Sequence, residues 1–180
     1  SAGAKGVDVN FEAKFPIGEN SLTTSLVGTY VDKLTFQPIT DGDTYDCAGL
    51  YGLTCGNPTP DWKHAAKLRF ATANDFAATL TWRYVGKVNA DFTSPQAFLN
   101  SPGAGPTVDE KLPAKSYFDV LFSVPLKDTV GFRLGINNIL DNDPPLISQS
   151  SLGGFGNGNV FPGTYDHLGR YLFVGVTADF

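Results

Sequence analysis

Apolar and polar positions alternate along most of this chain. From Val130 to Asn137, Val130, Phe132, Leu134 and Ile136 share one parity, and Gly131, Arg133, Gly135 and Asn137 the other. Side chains on a strand alternate faces, so one face is wholly apolar and the other carries a guanidinium. The same period recurs six more times. Val7, Val9, Phe11, Ala13 and Phe15 oppose Asp8, Asn10, Glu12 and Lys14; Leu22 to Tyr30, Ala66 to Ala71, Ala78 to Tyr84, Tyr117 to Leu126 and Tyr171 to Phe180 repeat it. This predicts seven strands and no helix of convincing period.

The connections between them add direction. "PIGENS" (16–21), "TAND" (72–75) and "PLKDT" (125–129) are tight turns, whereas the links near 37–60, 88–113 and 141–168 are long and rich in Gly, Pro, Asn and Asp. Strict alternation of short and long links places every long loop at one end of an antiparallel, up-and-down sheet. A soluble sandwich also alternates, but this loop asymmetry is the pattern of outer-membrane barrels. Each stripe spans about 9–11 residues, the length a tilted strand needs to cross a bilayer. The expectation is that the apolar face meets lipid and the polar face lines a wet or plugged lumen. "NNILDNDPP" (137–145) then marks where a strand leaves the membrane, since Pro144 and Pro145 donate nothing to a ladder.

Composition agrees with this picture. Hydrophobic residues make up 42% of the 180 residues and charged ones only 17%, with 14 Phe, 20 Gly and 12 Pro. No run approaches the ~18 apolar residues of a membrane helix. A formal charge of -5 argues against nucleic acid and against an anionic membrane surface as partners. The start, "SAGAKGVDV", has neither the basic residues nor the apolar core of a signal peptide, and the chain reads as a piece of something larger. Cys47 and Cys55 sit in the Gly-rich loop "DCAGLYGLTC" with no His beside them, which reads as a local disulfide of an oxidising compartment. The alternatives are a metal pair, for which a closed zinc site needs about four ligands, and two free thiols.

The end of the chain resembles a known family. "LGINNILDNDPP" followed by "YDHLGRYLFVGVTADF" is similar to the last two strands of TonB-dependent outer-membrane receptors, which commonly end in "GxxNLFDxxPP" and "YDxxGRxxxxGxxxxF" strands. Gly135, Asn137, Asn138, Asp141, Pro144 and Pro145 match the first pattern, and Tyr165, Asp166, Gly169, Arg170, Gly175 and Phe180 the second. "YDCAGLYGLTCGNPTPDWKH" (45–64) also resembles a disulfide-bearing external loop of some such receptors. The resemblance implies a bacterial outer-membrane barrel of 22 strands filled by a plug, of which residues 1–180 would form the last seven. It further implies TonB-energised uptake of a scarce nutrient, most often an iron-siderophore chelate, through a plug and coupling box that lie N-terminal to this segment. Phe180, with Val174, Val176 and Ala178, resembles the aromatic-ended signal read by the barrel assembly machinery. The other readings are a passive pore or structural barrel, and a soluble β-sandwich binding module.

Little here points to catalysis or to a cofactor. His64 and His167 lie near Asp61 and Asp166, but no Ser has a nucleophile-like setting. "DGDTYD" (41–46) and "DNDPP" (141–145) lack the ligand spacing of a calcium loop and read as turns. "LGGFGNGN" (152–159) reads as flexible loop, not as a phosphate cradle. Lys67, Arg69, Arg83 and Arg133 are expected on the lumen face as paired structural charges. Tyr45, Tyr51, Phe98, Phe155 and Phe161 are the loop aromatics available to touch a ligand.

Overall fold

The computed structural model describes residues 1–100, 109–127, 129–148 and 158–178. Seven long strands form one antiparallel sheet in sequential order: β1 (Ala2–Ile17), β2 (Asn20–Phe36), β5 (Trp62–Ala71), β6 (Ala77–Val85), β9 (Lys115–Lys127), β10 (Val130–Asn137) and β11 (Tyr171–Ala178). The short segments β3 (Tyr45–Asp46), β4 (Leu50–Tyr51), β7 (Val88–Ala90) and β8 (Lys111–Leu112) lie in the long connections, with a 3-10 turn at Asp91–Thr93. All seven expected strands are present, several longer than their clearest alternation: β5 opens at Trp62, so Trp62 and His64 stand in a ladder.

Pairing carries the two faces unbroken across the sheet. Phe70 lies opposite Leu22 and Ala78, Ala78 opposite Phe122, Phe122 opposite Leu134, and Leu134 opposite Val174. Arg133 pairs with Ser123 and Gly175, and Arg83 with Tyr117. Directly opposed residues share a face, so Arg133 stands opposite to Leu134 and Ile136, as the alternation predicts. One irregularity interrupts β1–β2, where Asp32 is an extra residue between the Lys5–Lys33 and Gly6–Val31 pairs.

The short turns are tight for identifiable reasons. Gly18 takes a φ of 60° between Ile17 and Asn20, the positive value a primed two-residue hairpin needs at its first central position. Asp75 donates its amide to Thr72 O and itself sits at φ 58°, closing the β5–β6 turn.

The sheet is open. β1 and β11 occupy opposite ends of the strand order and do not pair. Its apolar face is also uncovered: Val7 is 59% exposed, Phe11 52% and Leu172 67%. Of the fourteen buried apolar and aromatic residues among those described, only Ala77 and Tyr117 belong to long strands. The rest come from the long connections.

Candidate functional site

The three long connections fold together over the long-loop end of the polar face. The first begins where β2 outruns the rest of the sheet. β3 pairs with β2, and the Asp46 carboxylate accepts the amides of Leu34 (2.8 Å) and Ala48 (3.0 Å). Cys47 and Cys55 are bonded, with an S–S distance of 2.02 Å, so the disulfide closes the loop between the second and third long strands. Leu34, Phe36, Tyr45, Cys47, Leu50, Cys55 and Leu99 make a small core here.

The second connection is buttoned to the first by two polar side chains. Gln96 accepts from Asp46 N–H and donates to Asp46 O, both at 2.7 Å, so its amide acts as a strand partner. The buried Asp91 carboxylate accepts the amides of Thr54 (2.8 Å) and Cys55 (3.0 Å). Gly52, at φ 145°, passes so close that a Cβ would lie 2.3 Å from Asp91 Oδ1. Only glycine fits there, for both conformation and space.

A second core joins all three connections. β4, β7 and β8 form a small sheet, and Tyr51, Val88, Ala90, Leu112, Ile147, Phe161 and Tyr165 pack together beside it. Tyr51 meets Phe161 edge-to-face with centroids 5.8 Å apart, and its hydroxyl donates to Asp109 O. Burial pushes the phenols of Tyr51 and Tyr165 well above their ordinary pKa, so both are protonated donors at neutral pH.

Arg83 ties the third connection to the wall. Its Nε and Nη2 donate to the two Asp119 oxygens at 2.7 and 2.9 Å, and Nη2 also reaches Asp166 Oδ2 at 2.7 Å. The guanidinium lies 5.2 Å from the Tyr117 ring centroid. Asp119 Oδ1 further accepts the amide of Asn138, a fully buried residue at φ 48°. Asn138 and Asn142 bond each other reciprocally, and Asn142 Nδ2 donates to Ser116 O. Asp141 accepts the Arg170 amide at 2.7 Å beside Gly169, which has a φ of 69°.

This network gathers five residues of the terminal pattern. Asn138, Asp141, Asp166, Gly169 and Arg170 belong to it; Pro145 and Tyr165 are buried near it in the chain, and Pro144 is half-buried. Gly135 serves a different end, since a Cβ there would lie 2.2 Å from the Phe173 ring. Asn137 donates to the Tyr171 hydroxyl, and Gly175 faces Arg133. Phe180 lies outside the described residues.

Beneath the Pro162–Leu168 segment the polar face holds a cleft of about 550 Å³, lined among others by Lys63, Arg83, Tyr117, Tyr165, Asp166 and His167. The hydroxyls of Tyr117 and Tyr165 are buried and have no acceptor among the described residues. His167, Arg83 and the His64 position all border this space, although the register puts the His64 side chain on the parity of the apolar face.

The loop aromatics are placed unequally. Tyr51 is fully buried, Phe161 6% exposed and Tyr45 8% exposed, so their rings are occupied in the two cores. Phe98 caps a stack, 4.9 Å from Tyr45, and keeps 46% of its surface. Phe155 lies outside the described residues. Arg83 is a paired charge, as expected, but its partners Asp119 and Asp166, and the roles of Asp91 and Gln96, left no signal in the sequence, because the groups that meet lie 36 to 83 residues apart. No family model matches this chain, and neither a curated protein nor a solved structure matches it.

Proposed function

We propose that this chain is the C-terminal wall and external loop cap of a TonB-dependent outer-membrane receptor that takes up a scarce nutrient such as an iron-siderophore chelate. The observation that carries the reading is the asymmetry of covering. Among the described residues, both loop cores lean on the polar face, and the apolar face is left bare. Uncovered, that face forgoes on the order of ten kcal/mol of burial in water, and a bilayer supplies the missing apolar partner.

The height and banding of the face support the same reading. On β1 the apolar parity runs from Val7 to Ile17, roughly 33 Å at ~3.3 Å per residue. A tilt of about 40° reduces this to about 25 Å, the apolar band of an outer-membrane barrel. The next position of that parity, Lys5, pairs with Asp32 at 2.7 Å. Tyr30, Trp62, Trp82 and Tyr84 edge the band toward the long loops, and Phe15, Phe70 and Phe76 lie toward the short turns. Paired aromatic girdles of this kind flank such bands.

In this reading the open edges of β1 and β11 are completed by further strands of one barrel, with a plug against the polar face. The chain contributes wall, loops and assembly signal and no chemistry of its own. The test uses the chain refolded with lipid brominated at known depths. Trp62 and Trp82 fluorescence should be quenched most by shallow labels, and mid-depth labels should quench a Trp placed at Leu80. A monodisperse, folded protein in detergent-free buffer overturns the reading. In cells carrying the full receptor, uptake that survives collapse of the proton-motive force would favour a passive pore.

A further inference from the structure

At the long-loop edge of the apolar face, a neutral histidine is held in one tautomer. Trp62 Nε1–H donates to His64 Nδ1 at 2.8 Å. Nδ1 is therefore an acceptor, and the imidazole is the neutral tautomer with its proton on Nε2. Nε2 is buried with no hydrogen-bond partner among the described residues. The ring stacks on Tyr84 (5.3 Å) and meets Trp82 edge-to-face at 4.5 Å and 88°. Trp62 in turn seats its indole on bare backbone, since a Cβ on Gly28 would lie 2.5 Å from Trp62 Cη2.

We propose that the Trp62–His64 pair is a proton-sensitive clasp that releases the Trp62 indole when His64 is protonated. An imidazolium has two N–H donors and no acceptor, so protonation sets N–H against N–H and the indole must turn away. Among the described residues, no charged side chain shares this face around His64. On this face β2 supplies Gly28 and Tyr30, β5 Ala66, β6 Trp82 and Tyr84, and β9 Ser116 and Phe118. The titratable groups among these are the phenols of Tyr30 and Tyr84. Lys63, Lys67, Arg83 and Asp119 stand on the opposite face. The rings of Trp82 and Tyr84 attract a cation but offer Trp62 no replacement acceptor. Trp82 is fastened separately, donating to Ser116 Oγ at 3.1 Å, and stays in place. Acidification thus loosens one aromatic of the rim and leaves its neighbour. This inference rests on the pairing alone and not on the membrane reading.

The chain holds two Trp residues, so the full chain in detergent micelles gives two indole N–H resonances, followed from about pH 8 to about pH 5 together with the His64 nitrogens. The Trp62 indole proton should move upfield in step with His64, and the Trp82 signal should stay. In His64→Gln an amide oxygen keeps an acceptor that does not titrate, and the Trp62 shift should become independent of pH. In Gly28→Ala the indole is unseated, and its resonance should start at the acid position and stay there. A Trp62 signal that stays still while His64 titrates overturns the clasp. So does the same titration in His64→Gln. If that variant does not fold, the wild-type comparison of Trp62 with Trp82 decides.

Discussion

The wall and the cap solve opposite problems with the same backbone. The wall is seven regular strands whose apolar side chains touch few others: Val174 is 63% exposed and Val176 66%. The cap is irregular, yet Tyr51, Cys47 and Val88 are wholly buried in it. On the proposed reading, a bilayer offsets the ordering cost of regular hydrogen bonding without burial. Burial without regularity needs specific polar fasteners, and the cap has them in Asp91, Gln96, Asp46 and Arg83. On the proposed reading, each region is built for the medium outside it.

The sharpest way to break this comparison is one truncation made in both regions. Phe161→Ala empties the cap core and should cost ~3–5 kcal/mol in cap stability, read as lost protection of the Val88–Ala90 amides in hydrogen exchange. Phe11→Ala, at a site 52% exposed, should cost less than about 1 kcal/mol in detergent. Equal effects would mean the wall has a protein core it does not display.

A charge distinguishes the two faces of one strand. Leu80→Arg, on the uncovered face near mid-height of β6, should destabilise the lipid-refolded protein by ~2–4 kcal/mol in a urea titration. Thr81→Arg, one residue on, points to the polar face beside Asp119 and should be near neutral. If the two cost the same, the apolar face does not meet lipid.

How much of this was legible differs between the regions for a physical reason. The wall's strands, their order and their faces follow from a period of two sustained over eight or more residues, as from Val7 to Phe15. The disulfide was legible because both thiols lie in one short loop. The cap offered no period: β4 and β8 are two residues each, and a two-residue ladder leaves no pattern. Tyr51 and Phe161 therefore looked like free loop aromatics, although each is the other's packing partner across 110 residues. The linkage of Asp166 to Arg83 was not legible, because guanidinium and carboxylate lie 83 positions apart.

The staple of the cap should matter less than its core. Replacing Cys47 and Cys55 by Ser opens a loop of eight residues' separation, for which chain entropy gives ~2–3 kcal/mol. The loss should be local, because Asp91 still holds Thr54 and Cys55 by their amides. Hydrogen exchange should quicken at residues 47–55 and stay unchanged in β5 and β6. Quickening throughout the sheet would show the cap and wall to be one cooperative unit.

A smaller effect than that of opening the disulfide is expected where cap meets wall. Asp166→Asn keeps the shape of the side chain and removes one charge from the Arg83 cluster, leaving the bidentate Asp119 contact in place. Arg83 is 36% exposed and Asp166 9%, so water screens the pair in part, and the net loss should be about 1 kcal/mol. Its location matters more than its size. The Asp166 carboxylate joins the segment before β11 to β6, across two intervening strands, so its loss should raise exchange at Leu168 and Arg170 first. Arg83→Gln should cost more, because it leaves both Asp119 and Asp166 without a cation. If Asp166→Asn costs as much as Arg83→Gln, Asp119 is not the main anchor, and the join rests on the loop and not on the wall.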